Sequence, residues 1–163
     1  MPDAIHLRPI EDADLPFLRA VYASTREEEL QQTGWPEEQK ADFLRMQFDA
    51  QHGHYQQHYP TARFDVVLAG DTPIGRLYVD RRDDDIRIVD IALLPAHRGR
   101  GIGSGLLDTI LEEAASSGRT VSIHVERFNP ALRLYERLGF TQVGDTGVYY
   151  LMEWRPPTEA GDV

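Results

Sequence analysis

The chain has 163 residues, 41% apolar and 27% charged, a net charge of −10 and no cysteine. That balance fits one soluble globular domain with a real core, and it disfavours nucleic acid, whose phosphates such a chain repels. The missing cysteines exclude disulfides, thiolate metal sites and a thiol nucleophile. No apolar run approaches the roughly 18 residues of a membrane span, and MPDAIHLRPI lacks the order of a secretion signal, so a cytoplasmic protein is expected.

Taken in chain order, Ile5 to Ile10 predicts a first strand. A helix follows, capped by Asp12 or Asp14, with Pro16 in its first turn and Leu15, Leu18, Val21 and Tyr22 on one face. TGWPEE opens a second helix with Pro36 near its first position. It carries Phe43, Met46 and Ala50 at helical spacing and extends toward QQHYP. RFDVVLAGDTPIGRLYVD reads as two strands turning at Gly70 and Asp71, and DDDIRIVDIALLP as a third, ended by Pro95. From Gly103 to Ser117 the residues Leu106, Leu107, Ile110, Leu111 and Ala114 keep helical spacing, with Gly118 as the stop. TVSIHVE is a strand, NPALRLYERLGF a short helix and GVYYLMEW a last strand, giving β, α, α, β, β, β, α, β, α, then one or two β. A hairpin-rich first half joined to a β-α-β unit indicates a mixed α/β sheet with helices on both faces. The composition shows one domain over 1–155 and a loose tail over 156–163, with no internal repeat.

The densest signal is HRGRGIGSGLL, a loop that leaves a strand and opens a helix. Helix N-termini carry unpaired N–H groups and partial positive charge, and glycine lets an anion approach them closely. Arg98 and Arg100 add full charges with forked donors. A P-loop is excluded because no Gly-Lys pair exists. The dinucleotide fingerprint is excluded because Gly99, Gly101, Gly103 and Gly105 simply alternate. The stretch suits a pyrophosphate or another dense anion.

Three blocks then carry a family resemblance. Arg98-Gly-Arg-Gly101-Ile-Gly103 resembles the R-x-x-G-x-G signature of the Gcn5-related N-acetyltransferase (GNAT) superfamily. NPALRLYERLGF is similar to that family's N-x-x-A/L-x-x-L-Y-x-x-x-G-F block, and VDIALLPAHRGRG to its fourth strand and the proline before the loop. The resemblance covers roughly residues 4–155. It implies a mixed, mostly antiparallel sheet of six to seven strands, and transfer of an acetyl group from acetyl-coenzyme A to a primary amine of a small molecule or peptide by direct attack in a ternary complex. No metal is implied, and a homodimer is left open. The loop from Arg98 through Gly99, Arg100, Gly101, Gly103 and Ser104 would hold the pyrophosphate. The fourth and fifth strands would splay, so that the backbone of Ile91 and Leu93 pairs with the pantetheine and an N–H near Leu93 faces the thioester oxygen.

Tyr135 matches the family's tyrosine beside the cofactor sulfur, where a phenol can protonate the departing thiolate. Asn129 would bond the pantetheine arm, cap the helix before Pro130, or both. Asp90 interrupts the apolar run IRIVDIALL and, facing a cavity or partner, is suited to accept a proton. His124 and Glu126 on the next strand compete for that role, and an amine that arrives neutral needs no base. His52, His54 and His58 lack a third metal ligand at the usual spacing, and Arg133 and Arg137 read as a solvated helix face. STREEELQQTGW would sit between the first two helices, where Glu27, Glu28 and Glu29 can attract a cationic acceptor. The rival readings are a non-catalytic acyl-CoA-binding sensor module and an anion-binding structural domain.

Overall fold

Seven strands and four helices form where the β-rich and helical runs alternate in the chain. The computed structural model describes residues 4–157. The strands are β1 (Ile5–Pro9), β2 (Arg63–Ala69), β3 (Thr72–Arg81), β4 (Asp85–Leu93), β5 (Thr120–Glu126), β6 (Thr141–Asp145) and β7 (Tyr149–Trp154). The helices are α1 (Leu15–Gln31), α2 (Glu37–His58), α3 (Ile102–Ser117) and α4 (Leu132–Arg137). Hydrogen bonding orders the sheet β1-β2-β3-β4-β5-β7-β6. β1 and β2 are antiparallel, as are β5 with β7 and β7 with β6, whereas β4 and β5 run parallel across the helical crossover α3. The fold is the mixed sheet that the resemblance implied. No helix among the described residues is long and apolar enough to cross a membrane.

Contacts gather into two compact units, one of residues 4–78 with 91–100 and the other of 79–90 with 101–157. In the first unit Leu18, Val21 and Tyr22 of α1 and Phe48 of α2 are buried, with the Tyr22 and Phe48 rings edge-to-face at 6.2 Å. β2 and β3 contribute Val66, Val67, Ile74, Leu77 and Tyr78, all buried.

The start of α1 differs from expectation. Neither Asp12 nor Asp14 caps it through a side chain. Glu11 caps a single 3-10 turn over Asp12–Asp14, and the Asp14 carboxylate turns back to take two bonds from the Arg8 guanidinium, both at 2.8 Å, and one from the Glu11 N–H at 2.7 Å. A forked cation on the preceding strand outcompetes the neutral helix amides for this carboxylate.

The face of α2 also differs. Met46 and Ala50 are exposed and Phe43 only half-buried against Trp35, while Leu44, Phe48 and His52 turn inward. Two interleaved stripes satisfy the helical period, and packing against α1 chooses the one that brings Phe48 to Tyr22. Gly75 permits a close approach within the same unit: a Cβ there would press on the Ala92 carbonyl and lie 2.8 Å from Leu93 Cδ2.

In the second unit Leu107, Ile110, Leu111 and Ala114 of α3 and Val121, Ile123 and Val125 of β5 form the core, joined by Met152 and Phe140. Arg81 and Arg119 converge on Glu113 at 2.7 and 3.2 Å. Gly118 closes α3 in the left-handed conformation, φ 69°. Of the one or two strands expected at the C-terminus, two are present, β6 and β7. Residues 155–157 belong to no element, and the rest of the predicted tail lies outside the described residues.

Two outcomes follow. The Arg8 hydrogen bonds hold the Asp14 carboxyl below the usual carboxylate range. Its stabilising contribution is therefore present above the unfolded aspartate range and lost as pH falls through the lowered folded value. Arg8→Ala is expected to lower Tm near neutral pH, with the gap from wild type closing below about pH 4; a gap independent of pH would refute the linkage. Gly75→Val is expected to cost about 1–3 kcal/mol through overpacking, read as a shift in the urea midpoint.

Candidate active site

Between β4 and α3 the chain makes a 3-10 turn over Pro95–His97 and then enters the glycine loop. Gly99 and Gly101 adopt φ of 72° and 82°, a left-handed region that side chains with a Cβ rarely enter. α3 begins at Ile102 with Gly101 as N-cap, no capping side chain and no acid in its first turn. The first bond back to the loop is Gly105 N–H to the Gly101 carbonyl at 2.9 Å, so the amides of Ile102, Gly103 and Ser104 precede the helix's own ladder. Space is open where Cβ atoms would stand at Gly99, Gly101 and Gly105. An uncapped helix start with open space before it is the arrangement that the expected anion cradle calls for. Arg100 is exposed there, while Arg98 turns away: its Nε donates to the Leu93 carbonyl at 2.8 Å and its Nη2 to Ser24 Oγ at 3.1 Å.

The parallel ladder between β4 and β5 is short. It pairs Asp85 with Thr120 through Ile88 with Ile123 and ends there, although β4 continues to Leu93 and β5 to Glu126. Ile88 and Ile123 are the last pair of that ladder. Ile91 and Leu93 stand on β4 beyond it. Leu93 is buried and its carbonyl is taken by Arg98.

In the second unit the charge of Asp90 acts on Tyr135. Tyr135 is buried in α4, with its ring edge-to-face against Phe140 at 5.6 Å. Burial, and then the negative charge of Asp90, raise the Tyr135 pKa and hold the phenol protonated. Asn129 forms a local turn, its Oδ1 accepting the Ala131 N–H at 2.9 Å, and so leads the chain into α4. The side-chain amide N–H groups of Asn129 are not used by that turn.

His124 is disposed differently. Arg87 Nε donates to Ser122 Oγ at 2.8 Å and its Nη1 lies 3.2 Å from His124 Nδ1. A guanidinium only donates, so Nδ1 accepts and the ring proton sits on Nε2. Burial and the Arg87 charge lower the His124 pKa. In that tautomer the ring presents Nε2–H as its donor. The residues that composition did not single out are Ser24, Gly75 and Arg87. Only Gly75, an isolated glycine inside a strand pattern, left a readable signal.

The acidic run falls elsewhere than expected. Glu27, Glu28 and Glu29 lie within the last turns of α1 and not in a connecting loop; all three are exposed and Glu29 pairs with Arg26 at 3.1 Å. The His54 and His58 rings stack at 4.0 Å, and among the described residues no three metal-ligating side chains gather.

Residues 21–140 match the model of the Acetyltransferase (GNAT) family. An acetyltransferase of Agrobacterium fabrum is 39% identical over 82 residues, 49% of this chain and 52% of that protein. The [ribosomal protein bS18]-alanine N-acetyltransferase of Haemophilus influenzae is 34% identical over 68 residues, covering 41% of this chain and 47% of the other. The matched stretches thus span about half the length of these curated relatives. The crystal structure of the PaiA N-acetyltransferase from Thermoplasma acidophilum with coenzyme A superposes with a TM-score of 0.69 at 20% identity, covering 93% of this chain and 99% of that one, a likeness of fold. The glycine cradle, the end of the β4–β5 ladder and the Asp90–Tyr135 pair all fall within the matched segment, and the chain belongs to the GNAT acetyltransferase family.

Proposed function

We propose that the protein transfers the acetyl group of acetyl-coenzyme A to a primary amine of a small molecule or peptide, by direct attack in a ternary complex. The observation that carries this reading is the end of the β4–β5 ladder at Ile88 and Ile123, on the strand that leads into the uncapped start of α3. An extended pantetheine amide chain suits a strand past the end of its ladder, and a pyrophosphate suits the amides of Ile102, Gly103 and Ser104.

The chemistry follows from the residues. The amine lone pair attacks the thioester carbon while an N–H near Leu93 donates to the oxyanion that develops. As the C–S bond breaks, Tyr135 donates its phenolic proton to the departing sulfur. Asp90 accepts the proton released by the amine and then returns it to the Tyr135 oxygen. Across the cycle the Asp90–Tyr135 pair keeps a single negative charge, which limits the cost of moving protons in a buried place. The raised Tyr135 pKa keeps the donor charged with its proton until the thiolate forms. His124, as an Nε2–H donor, is suited to bond an acceptor oxygen and not to take the proton. The loop and the pair together favour an enzyme over an acyl-CoA sensor, because a sensor has no use for a proton donor beside the sulfur.

The acceptor we favour is a cationic amine, since the chain carries −10 and presents Glu27 and Glu28 on the exposed end of α1. The same reading places the protein in the cytoplasm.

The test is acetyl-coenzyme A consumption across polyamines, amino acids, antibiotics and peptide amines. Cationic acceptors are expected to lead, with rates that fall as salt screens the charges; a screen won by anionic amines would reverse the acceptor assignment. Acetyl-coenzyme A at about 100 times its Kd is expected to stabilise the fold by about 2.7 kcal/mol, seen as a rise in Tm. Gly101→Phe is expected to abolish that ligand-induced rise whatever its own Tm. Tyr135→Phe and Asp90→Asn are expected to lower kcat by about 10²-fold with acetyl-coenzyme A affinity retained. His124→Asn, by contrast, is expected to keep the acid limb of the pH profile in place; its loss would make His124 the base.

A further inference from the structure

Of the two arginines in the glycine loop, only Arg100 projects as a free cation. Arg98 is committed within its own unit. Its Nε donates to the Leu93 carbonyl at 2.8 Å and its Nη2 to Ser24 Oγ at 3.1 Å. Ser24 Oγ in turn donates to the carbonyl of Val21 at 2.7 Å, on the buried side of α1. The Leu93–Leu94 peptide is therefore held at both polar ends, because the Leu94 N–H donates to the Ile74 carbonyl at 2.8 Å. The neighbouring glycine, Gly75, brings β3 so near that a Cβ there would meet Leu93 Cδ2 at 2.8 Å and Leu93 Cα at 3.0 Å. A peptide gripped in this way has one orientation, and the strand end it belongs to has one height above the sheet.

An arginine that served only to attract phosphate would leave its fork free. The fork of Arg98 instead spans two structures, the last peptide of β4 and the middle of α1, and a lysine, with a single head on a flexible stem, cannot span both in fixed geometry. We propose that Arg98 is a positioning residue: a clamp that ties the Leu93 carbonyl to Ser24 of α1, so that the reactive end of β4 keeps the peptide orientation needed for transfer. This rests on the acetyltransferase reading, in which the backbone near Leu93 faces the thioester. Acetyl-coenzyme A affinity, carried by the loop amides and Arg100, is then largely independent of Arg98, and the turnover is not.

The experiment compares Arg98→Ala, Arg98→Lys and Ser24→Ala in the full chain. Three quantities are read: kcat with the best amine, acetyl-coenzyme A Kd by calorimetry, and amide hydrogen exchange of the 91–98 segment in the ligand-free protein. A clamp predicts that Arg98→Ala and Arg98→Lys lose kcat alike, by about tenfold or more, as expected for a lost hydrogen bond to a charged group. Their Kd for acetyl-coenzyme A shifts by less than about threefold, the weight of a partial contact. Ser24→Ala, which removes no charge, loses kcat in the same direction by a smaller factor, and all three variants exchange the Leu94 amide faster than wild type. Full kcat in Arg98→Lys, or a Kd that rises with kcat unchanged in Arg98→Ala, would show a phosphate ligand and overturn the clamp. Wild type that turns over no amine would refute the acetyltransferase reading, and the hydrogen exchange would still decide the clamp: unchanged protection of Leu94 in Arg98→Ala overturns it.

Discussion

Parallel strands joined by a helix hold together only as far as their backbones keep register, and in this chain β4 and β5 keep it for the stretch from Asp85 to Ile88. Most of the proposed site depends on that limit. Strand β5 stays tied on its other side, to β7 from Val121 through Glu126, so it does not unravel where β4 leaves it. Strand β4 is held on its far side too, where Gly75 admits it closely and Ile74 takes the Leu94 N–H. Each strand thus has an anchor besides the short ladder. Open backbone edges are ordinarily a liability, and in the proposed function the end of this ladder is where an extended ligand chain would join the sheet.

The chemistry is set by charge placed in a dry environment. Asp90 and Tyr135 come from a strand and a short helix far apart in sequence, and burial together with the Asp90 charge gives a phenol that keeps its proton. The neighbouring network works in the opposite sense. Asp85 accepts from Thr120 and Ser122, Ser122 accepts from Arg87, and Arg87 donates to His124. With Nδ1 facing the Arg87 guanidinium, the imidazole at the end of that chain is left with Nε2–H as a donor.

The loop motif was legible because it is local. Glycines at alternate positions, a strand before and a helix after, and two arginines suffice to predict an anion cradle, and φ of 72° and 82° at Gly99 and Gly101 is the conformation such glycines serve. The helix stop at Gly118, the hairpin at Gly70 and the burial of Leu18, Val21 and Tyr22 were legible for the same reason, since each follows from residues within one or two turns. The motif also assigned Arg98 to phosphate. A side chain's charge can be read from its type, whereas the direction in which it points depends on acceptors elsewhere in the chain, here Leu93 and Ser24.

The same division holds for the whole protein. Short-range periodicity, glycine placement and motif spacing in the sequence determined the element order, the glycine cradle and the family. Only the tertiary structure decided which stripe of α2 faces inward, that Asp14 answers to Arg8 and not to its own helix, that the acids of α1 stand on an exposed helical end, and where the β4–β5 ladder stops. Those outcomes turn on competition between partners distant in sequence. A carboxylate, an imidazole or an unpaired N–H takes the strongest partner that folding brings within about 3 Å, and no local pattern records which partner that is.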